Sequence, residues 1–483
     1  MKLRLKQSLP ILYLVLTVFV IVMMFPSNSY NDPDTFWHIE LGNYMLAHHT
    51  VLHHAIHTFY NDKLPYVPHE FGFQLIIAAL YDLFGWSGTY LLTAFCLFVL
   101  MLGLYRLTRL SRKELGLSEH HFLLFLVVLL VSVCVYYYYF TSRPQMISSF
   151  LIVWFFVCLR EFVLNQKKGY AIALIMISIG IANIHAGVWP VIAVFTGMAI
   201  VEAFIERSLD RRKLLTFISI IVAGFLNVGG YKSIFYIFTV TKNHFNLMIN
   251  EWQPIQFASP TEPRTLLLLA FVMLLPFCIH RKPFRLMLML GIVFLGVSSY
   301  KQNLFMWLFF PYFAGTVADL IPYNRVVNIP YKRYLFVLGI TIGLISHIVL
   351  LFITPPTVDT KKYPVEEMNY VLEHTPSGVR PKVLAPYGSS GYVMSHGADV
   401  LCDGRQDPFV TDETKGVFNY TAFERSMKGF SEILPDIVAY DKPDYVVVRT
   451  NTSSRMFQGW VAAFGAPVFK GAYGSVFEIK STK

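Results

Sequence analysis

Residues 31–34 read Asn-Asp-Pro-Asp and set two carboxylates, Asp32 and Asp34, on either side of a proline, just ahead of the aromatic run TFWHIELGNYMLAHH. Acids so spaced suit two kinds of chemistry: one takes a proton from a hydroxyl, or the pair holds a divalent cation through hard oxygen ligands. The same residues also start a helix well, with Asp32 as N-cap, Pro33 as first helical residue and Asp34 at the positive end. Spacing alone leaves both readings open. The same stretch carries His38, His48, His49, His53, His54, His57, His69 and Glu70. His53 and His57 have metal-ligand spacing, yet no H-E-x-x-H or comparable signature completes a zinc site, so any metal would fall to Asp32 and Asp34. His69 and Glu70, in PYVPHEFG, form a second polar focus; Glu70 equally suits the start of the apolar segment 71–84.

Basic groups recur at the ends of later apolar runs. Arg143 lies in TSRPQ, His185 in ANIHAG and Lys301 in SSYKQN. A guanidinium grips oxygens in pairs, which suits a phosphate at lipid-headgroup depth, although an arginine there can also simply snorkel to headgroups. Lys301 carries the same two readings, and His185 is either a ligand contact or a capping residue. Glu251 and Trp252, in INEWQP, mark another polar loop as a contact to a bound molecule or as an interfacial anchor. Gly-rich phosphate loops, Ser-His-Asp arrangements and CxxC pairs are absent from the sequence. That absence ties a bound phosphate to a lipid rather than to a soluble nucleotide.

The elements that must position these groups are membrane helices. The 483-residue chain is 55% hydrophobic and 14% charged, against roughly 25% charged in soluble globular proteins. Apolar runs near 9–25, 87–106, 121–140, 145–163, 170–184, 187–205, 214–229, 265–280, 285–299, 302–320 and 333–353 predict about 11 transmembrane helices. Segment 71–84 is too short to cross and is expected at the interface or as a re-entrant piece. The first run follows a basic start and lacks an A-x-A-like cleavage site, so it is read as a retained helix.

With the N-terminus cytoplasmic, inner loops hold clusters such as Lys2/Arg4/Lys6, Arg106/Arg109/Arg112/Lys113, Arg160/Lys167/Lys168, Arg207/Arg211/Arg212/Lys213, Arg281/Lys282/Arg285 and Arg325/Lys332/Arg333. The outer side before residue 355 holds only Lys63, Arg143, Lys232, Lys242, Arg264 and Lys301. That bias follows the positive-inside rule and accounts for the net charge of +10 without a nucleic-acid partner. It leaves loop 26–70 and the tail outside. The tail, with strand-like KVLAPYG, YVVVR and SVFEIK and a helix near 415–434, predicts a small α/β extracytoplasmic domain over 355–483, beside a membrane domain over 1–354 that includes loop 26–70. Trp37, Leu41, Tyr44, Met45 and His48 recur at helical spacing and predict an amphipathic helix lying on the membrane surface.

Taken in order, DPDTFWHIELGNYML, PHEFGFQLIIAALY, SRPQMISSF, ANIHAGVW, FLNVGGYKSI, EWQP and LCDGRQDPF resemble a family of bacterial multispanning proteins related to GT-C glycosyltransferases. The family is more distantly similar to protein O-mannosyltransferases, aminoarabinose transferases and oligosaccharyltransferase catalytic subunits. The resemblance implies a GT-C-like fold and a cell-membrane enzyme of envelope polysaccharide or glycolipid assembly. It would take a sugar from a polyprenyl-phosphate donor on the outer face and pass it, with inversion, to a glycan, lipid or protein acceptor. It gives the catalytic role to Asp34, with Asp32 second. Topology assigns donor phosphate to Arg143, His185 and Lys301, and acceptor or loop contacts to His38, His69, Glu70 and Glu251. No cofactor is implied beyond a possible divalent cation. Where relatives carry a D-P-F-type segment, this chain reads HHAIHTF. Two other classes fit the same residues: a transporter or flippase of lipid-linked sugars, which needs no base, and a non-catalytic assembly protein acting through its tail.

Overall fold

The computed structural model describes Thr17 and residues 29–30, 32–60, 63–117, 122–240, 248–256, 262–279, 283–317, 332–416, 420–428, 430–431 and 433–479. Apart from Thr17, the expected span 9–25 lies outside them, as do the basic residues Lys2, Arg4, Lys6, Lys242, Arg281, Lys282 and Arg325. The chain divides into two compact units, one of Met1–Pro26 with Tyr90–Ile353 and one of Ser27–Thr89 with Thr354–Lys483. The later break falls between Ile353 and Thr354. The stretch 27–89, expected with the membrane domain, groups instead with the tail, because its apolar faces are covered there.

The first unit is helical throughout its described elements. Trp86–Glu114, Pro144–Asn165 and Ala186–Ile205 are long and apolar enough to cross a membrane. Lys168–Ile184, Pro263–Cys278, Phe284–Ser298, Leu304–Ala314 and others are apolar but shorter, so eleven full-length spans are not all present among the described helices. The run 214–229 differs most. Helix Arg211–Ala223 starts on an Asp210 cap that accepts from the Lys213 amide, stops before a Gly- and Asn-containing turn, and a second helix runs over Gly230–Val240. Asn227 Nδ2 donates to the Gly224 carbonyl within that turn, a local bond that competes with helix continuation.

Helix ends in this unit are tied by a buried ionic cluster. The Arg160 guanidinium bonds Glu202 through both outer nitrogens and Glu114 through Nε at 2.6 Å. Arg285 reaches Glu114 at 3.4 Å, Ser111 Oγ at 2.6 Å and Thr316 Oγ1 at 3.1 Å, and the Tyr312 hydroxyl donates to Glu114. Arg112, Arg160 and Arg285 are at most 1% exposed. Arg160 and Arg285, read from sequence as inner-loop topology signals, are therefore interior ion-pair partners, and Arg112 reaches the Gly315 carbonyl.

The second unit combines helices with a four-stranded sheet ordered Val383–Leu384, Tyr445–Arg449, Gly474–Glu478, Phe469–Lys470, the first pair parallel and the rest antiparallel. This matches the α/β reading of the tail. The expected helix near 415–434 is instead two short helices, Ala422–Lys428 and Leu434–Asp441. Strand Ser29–Tyr30 pairs in parallel with Thr357–Val358, joining the two ends of the unit's chain segments.

Helix Pro33–His48 runs through this unit rather than along an open surface. Trp37, Leu41 and Met45 of its expected membrane-facing side are buried. Phe71–Phe84 packs so closely on it that a Cβ on Gly42 would come within 2.2 Å of the Gln74 carbonyl oxygen. Helix Tyr387–Ser395 covers it too, with the Gly391 Cα facing the Pro33 carbonyl. Phe36 meets Trp86, Tyr363 and Tyr392 edge to face at 4.7–5.3 Å, an arrangement aromatic quadrupoles favour. The apolar stripe is thus satisfied by protein.

Candidate active site

Asp32 is the N-cap the sequence predicts: its backbone is extended, its Oδ1 accepts from the Asp34 amide at 3.0 Å, and Pro33 opens the helix. Asp32 is buried, whereas Asp34 is half-buried. The cap bond uses the Asp34 backbone and not its carboxylate. Burial lowers the pKa of the nearby Lys362 ammonium, with Asp32 and Asp359 opposing that shift.

The Asp34 carboxylate lies against the tail segment Cys402-Asp403-Gly404-Arg405. A Cβ on Gly404 would come within 2.2 Å of Asp34 Oδ1 and 2.5 Å of Trp37 Nε1. Only glycine admits that approach. The turn itself is stiff: Arg405 bonds both Asp403 oxygens at 2.5–3.0 Å and reaches the Ile56 carbonyl at 3.0 Å. Val400 accepts from the Phe59 amide at 3.1 Å and donates to the His57 carbonyl at 3.2 Å. The divergent HHAIHTF segment is therefore the backbone partner of the tail strand leading into Gly404. Gly404→Ala should displace the carboxylate; any activity that uses Asp34 should fall at least about tenfold with little loss of folded protein, measured as rate per folded molecule in detergent.

One helical turn along, His38 Nε2 and His69 Nε2 lie 3.9 and 3.7 Å from Glu70 Oε2, and His69 Nδ1 pairs with the Val67 carbonyl at 2.8 Å. His38, His69 and Glu70 are thus one cluster. Glu70 makes no side-chain cap bond to helix Phe71–Phe84. His57 instead pairs with Glu40 at 3.3 Å. Among the described residues no group of three or more His, Cys, Asp or Glu is disposed to hold a metal ion.

Sequence reasoning missed Asp403, Gly404, Arg405 and Asp407, although DGRQD is a dense charged run beside the one cysteine in a polar region. Asp407 keeps slight exposure as a residue while its carboxyl group is closely surrounded. Burial first, and the Glu70 charge second, push that carboxyl well above its ordinary 3.8. A carboxyl held protonated in this way stabilises the fold fully below pH 3.8 and loses that contribution as pH rises through its raised folded value. Asp407→Asn cannot ionise. Its thermal stability relative to the wild type should therefore increase between pH 5 and pH 8 in detergent; parallel pH curves would refute this.

The basic candidates lie in the first unit. Arg143, the N-cap of helix Pro144–Asn165, grips Glu251 at 2.8 and 2.9 Å from one nitrogen. The Lys301 amide donates to the Glu251 carbonyl at 2.9 Å, and Lys301 Nζ sits 5.0 Å from the Trp252 ring centre. His185 Nδ1 pairs with Ser148 Oγ at 3.0 Å, just over one turn along the Arg143-capped helix. Arg143, Glu251 and Lys301 therefore meet in one loop region, and His185, the C-cap of helix Lys168–Ile184, bonds the first turns of the Arg143-capped helix. Arg264, assigned no role from sequence, lies over Tyr300 at 4.8 Å and pairs with Glu262.

The crystal structure of ArnT from Cupriavidus metallidurans in the apo state matches 97% of this chain and 97% of its own, with a TM-score of 0.55 and 12% identity. The chain has a mostly helical, ArnT-like fold. A second ArnT structure from the same organism, bound to undecaprenyl phosphate, matches 98% of each chain at 12% identity with a TM-score of 0.49. The sequence matches no family model and no curated protein. Three described helices of this fold are long and apolar enough to cross a membrane, and the carboxylate-bearing helix belongs to the second unit.

Proposed function

We propose that this protein is an integral membrane glycosyltransferase that moves a sugar from a polyprenyl-phosphate-linked donor to a glycan, lipid or protein acceptor on the outer face. The observation that carries the reading is the Asp34 carboxylate, set by a buried N-cap at the start of a rigid helix and seated on Gly404, in a chain of GT-C-like fold. The acceptor hydroxyl gives its proton to Asp34 and its oxygen attacks the anomeric carbon. The bond from that carbon to the phosphate oxygen breaks, the electron pair leaves with the phosphate, and configuration inverts. A phosphate leaving group is already good, so positioning and charge matching supply most of the catalysis.

Arg143 and Lys301 would meet the negative charge that accumulates on the leaving phosphate. His38, His69 and Glu70 would line the acceptor side. The test is transfer of labelled sugar from polyprenyl-phosphate sugars to membrane acceptors by the wild type and Asp34→Asn. Undiminished transfer by the variant, or lipid-linked sugar crossing the bilayer with both aspartates replaced, would overturn the enzyme in favour of a transporter.

A further inference from the structure

We infer that Glu251 is an internal anion occupying the seat of a phosphate ester at Arg143, and that a polyprenyl phosphate binds by displacing it. The inference rests on the donor-phosphate role of Arg143 proposed above and adds a latch to it. Both Glu251 oxygens accept from Arg143 Nη1, so the guanidinium already holds an oxyanion, the class of ligand to which a phosphate also belongs. The partners differ in exposure: the Arg143 side chain is 15% exposed and that of Glu251 45%. The cation is therefore built into the wall, and the carboxylate is the partner that can swing away.

The latch is anchored beside the seat by backbone. The Lys301 amide bonds the Glu251 carbonyl, and the Tyr300 amide bonds the Gln253 carbonyl at 3.1 Å. Glu251 can thus release Arg143 without its loop leaving Lys301. With the carboxylate in, Arg143 faces one negative charge; with it out, it can face a phosphate monoester, the form of the carrier left after sugar transfer, which carries nearly two. The positive end of the 22-residue helix Pro144–Asn165 adds to that attraction. Exchanging one anion for a better-matched one keeps an unliganded guanidinium from capturing bulk lipid headgroups.

The test uses the purified full chain in phosphatidylcholine nanodiscs, with an undecaprenyl monophosphate, phosphatidic acid and inorganic phosphate as separate probes. E251Q should bind undecaprenyl monophosphate about five- to tenfold more tightly than the wild type, the scale of one half-exposed ion pair. E251D, whose shorter arm keeps the charge but loosens the grip, should gain less. R143Q should weaken binding at least about tenfold, and R143Q/E251Q should lose the gain. A gain confined to the polyprenyl lipid assigns the seat to the carrier, whereas equal gains for all three probes assign it to the phosphate group alone; each supports displacement. R143Q weakening with no gain in E251Q and E251D would overturn the latch while the seat stands. Unchanged binding by R143Q would overturn both.

Discussion

Asp34→Asn is expected to reduce sugar transfer by at least about a hundredfold while leaving the amount of folded protein unchanged. The expectation follows from how the helix start divides its tasks. Asp32 holds the helix through the Asp34 backbone amide, so the Asp34 side chain is not needed for the cap. Asparagine also preserves the shape that fits against Gly404 and removes only the charge and the basicity. Asp32→Asn is the complementary variant: asparagine caps about as well as aspartate, so fold and transfer should both survive nearly intact. Rates per folded molecule, with folding judged by a single monodisperse peak in detergent, check the pair. Loss of transfer in Asp32→Asn and not in Asp34→Asn would exchange the two roles.

The largest expected stability effect is at Arg160. Replacing it by Met leaves Glu202 and one oxygen of Glu114 without their cation in a closed interior, a loss of about 3–5 kcal/mol for breaking a buried pair. Thermal unfolding in detergent should drop by several degrees, and the protein should remain helical. Arg160→Met with Glu202→Leu should recover part of the loss, because packed apolar groups can replace a buried ion pair at little cost. Glu114 keeps Arg285 and Tyr312 in that double variant. A single variant as stable as the wild type would show that the cluster is hydrated and contributes little.

The local features of the fold were legible where a residue's role depends on its neighbours in sequence. The Asp32 cap, Pro33, the helix boundaries around 144–165 and 168–184, and the strands YVVVR and SVFEIK are of that kind. Run 214–229 misled because hydropathy does not register the Asn227 and glycine turn that stops the helix. The amphipathic stripe of Trp37, Leu41 and Met45 misled for a different reason: a period of 3.6 reports that a face is covered, and not whether lipid or protein covers it. At the candidate site, Asp34, His38, His69 and Glu70 were legible as chemistry within one loop. Gly404 and Arg405 were not, since nothing local to DGRQD tells that it meets a helix nearly at the other end of the chain. Arg143 and Glu251 were each found, but their pairing was not, for the same reason.

The strand pair Ser29–Tyr30 with Thr357–Val358 has a bearing on the order of biosynthesis. The unit that carries Asp34 is assembled from the two ends of the polypeptide, with all of Tyr90–Ile353 made in between. Its first segment must therefore wait, Phe36 and Trp37 uncovered, until the last segment is synthesised. Contacts of such sequence separation form late. The carboxylate gains its glycine seat only once Gly404 has been made, so a product terminated before that residue carries the aspartate without the seat.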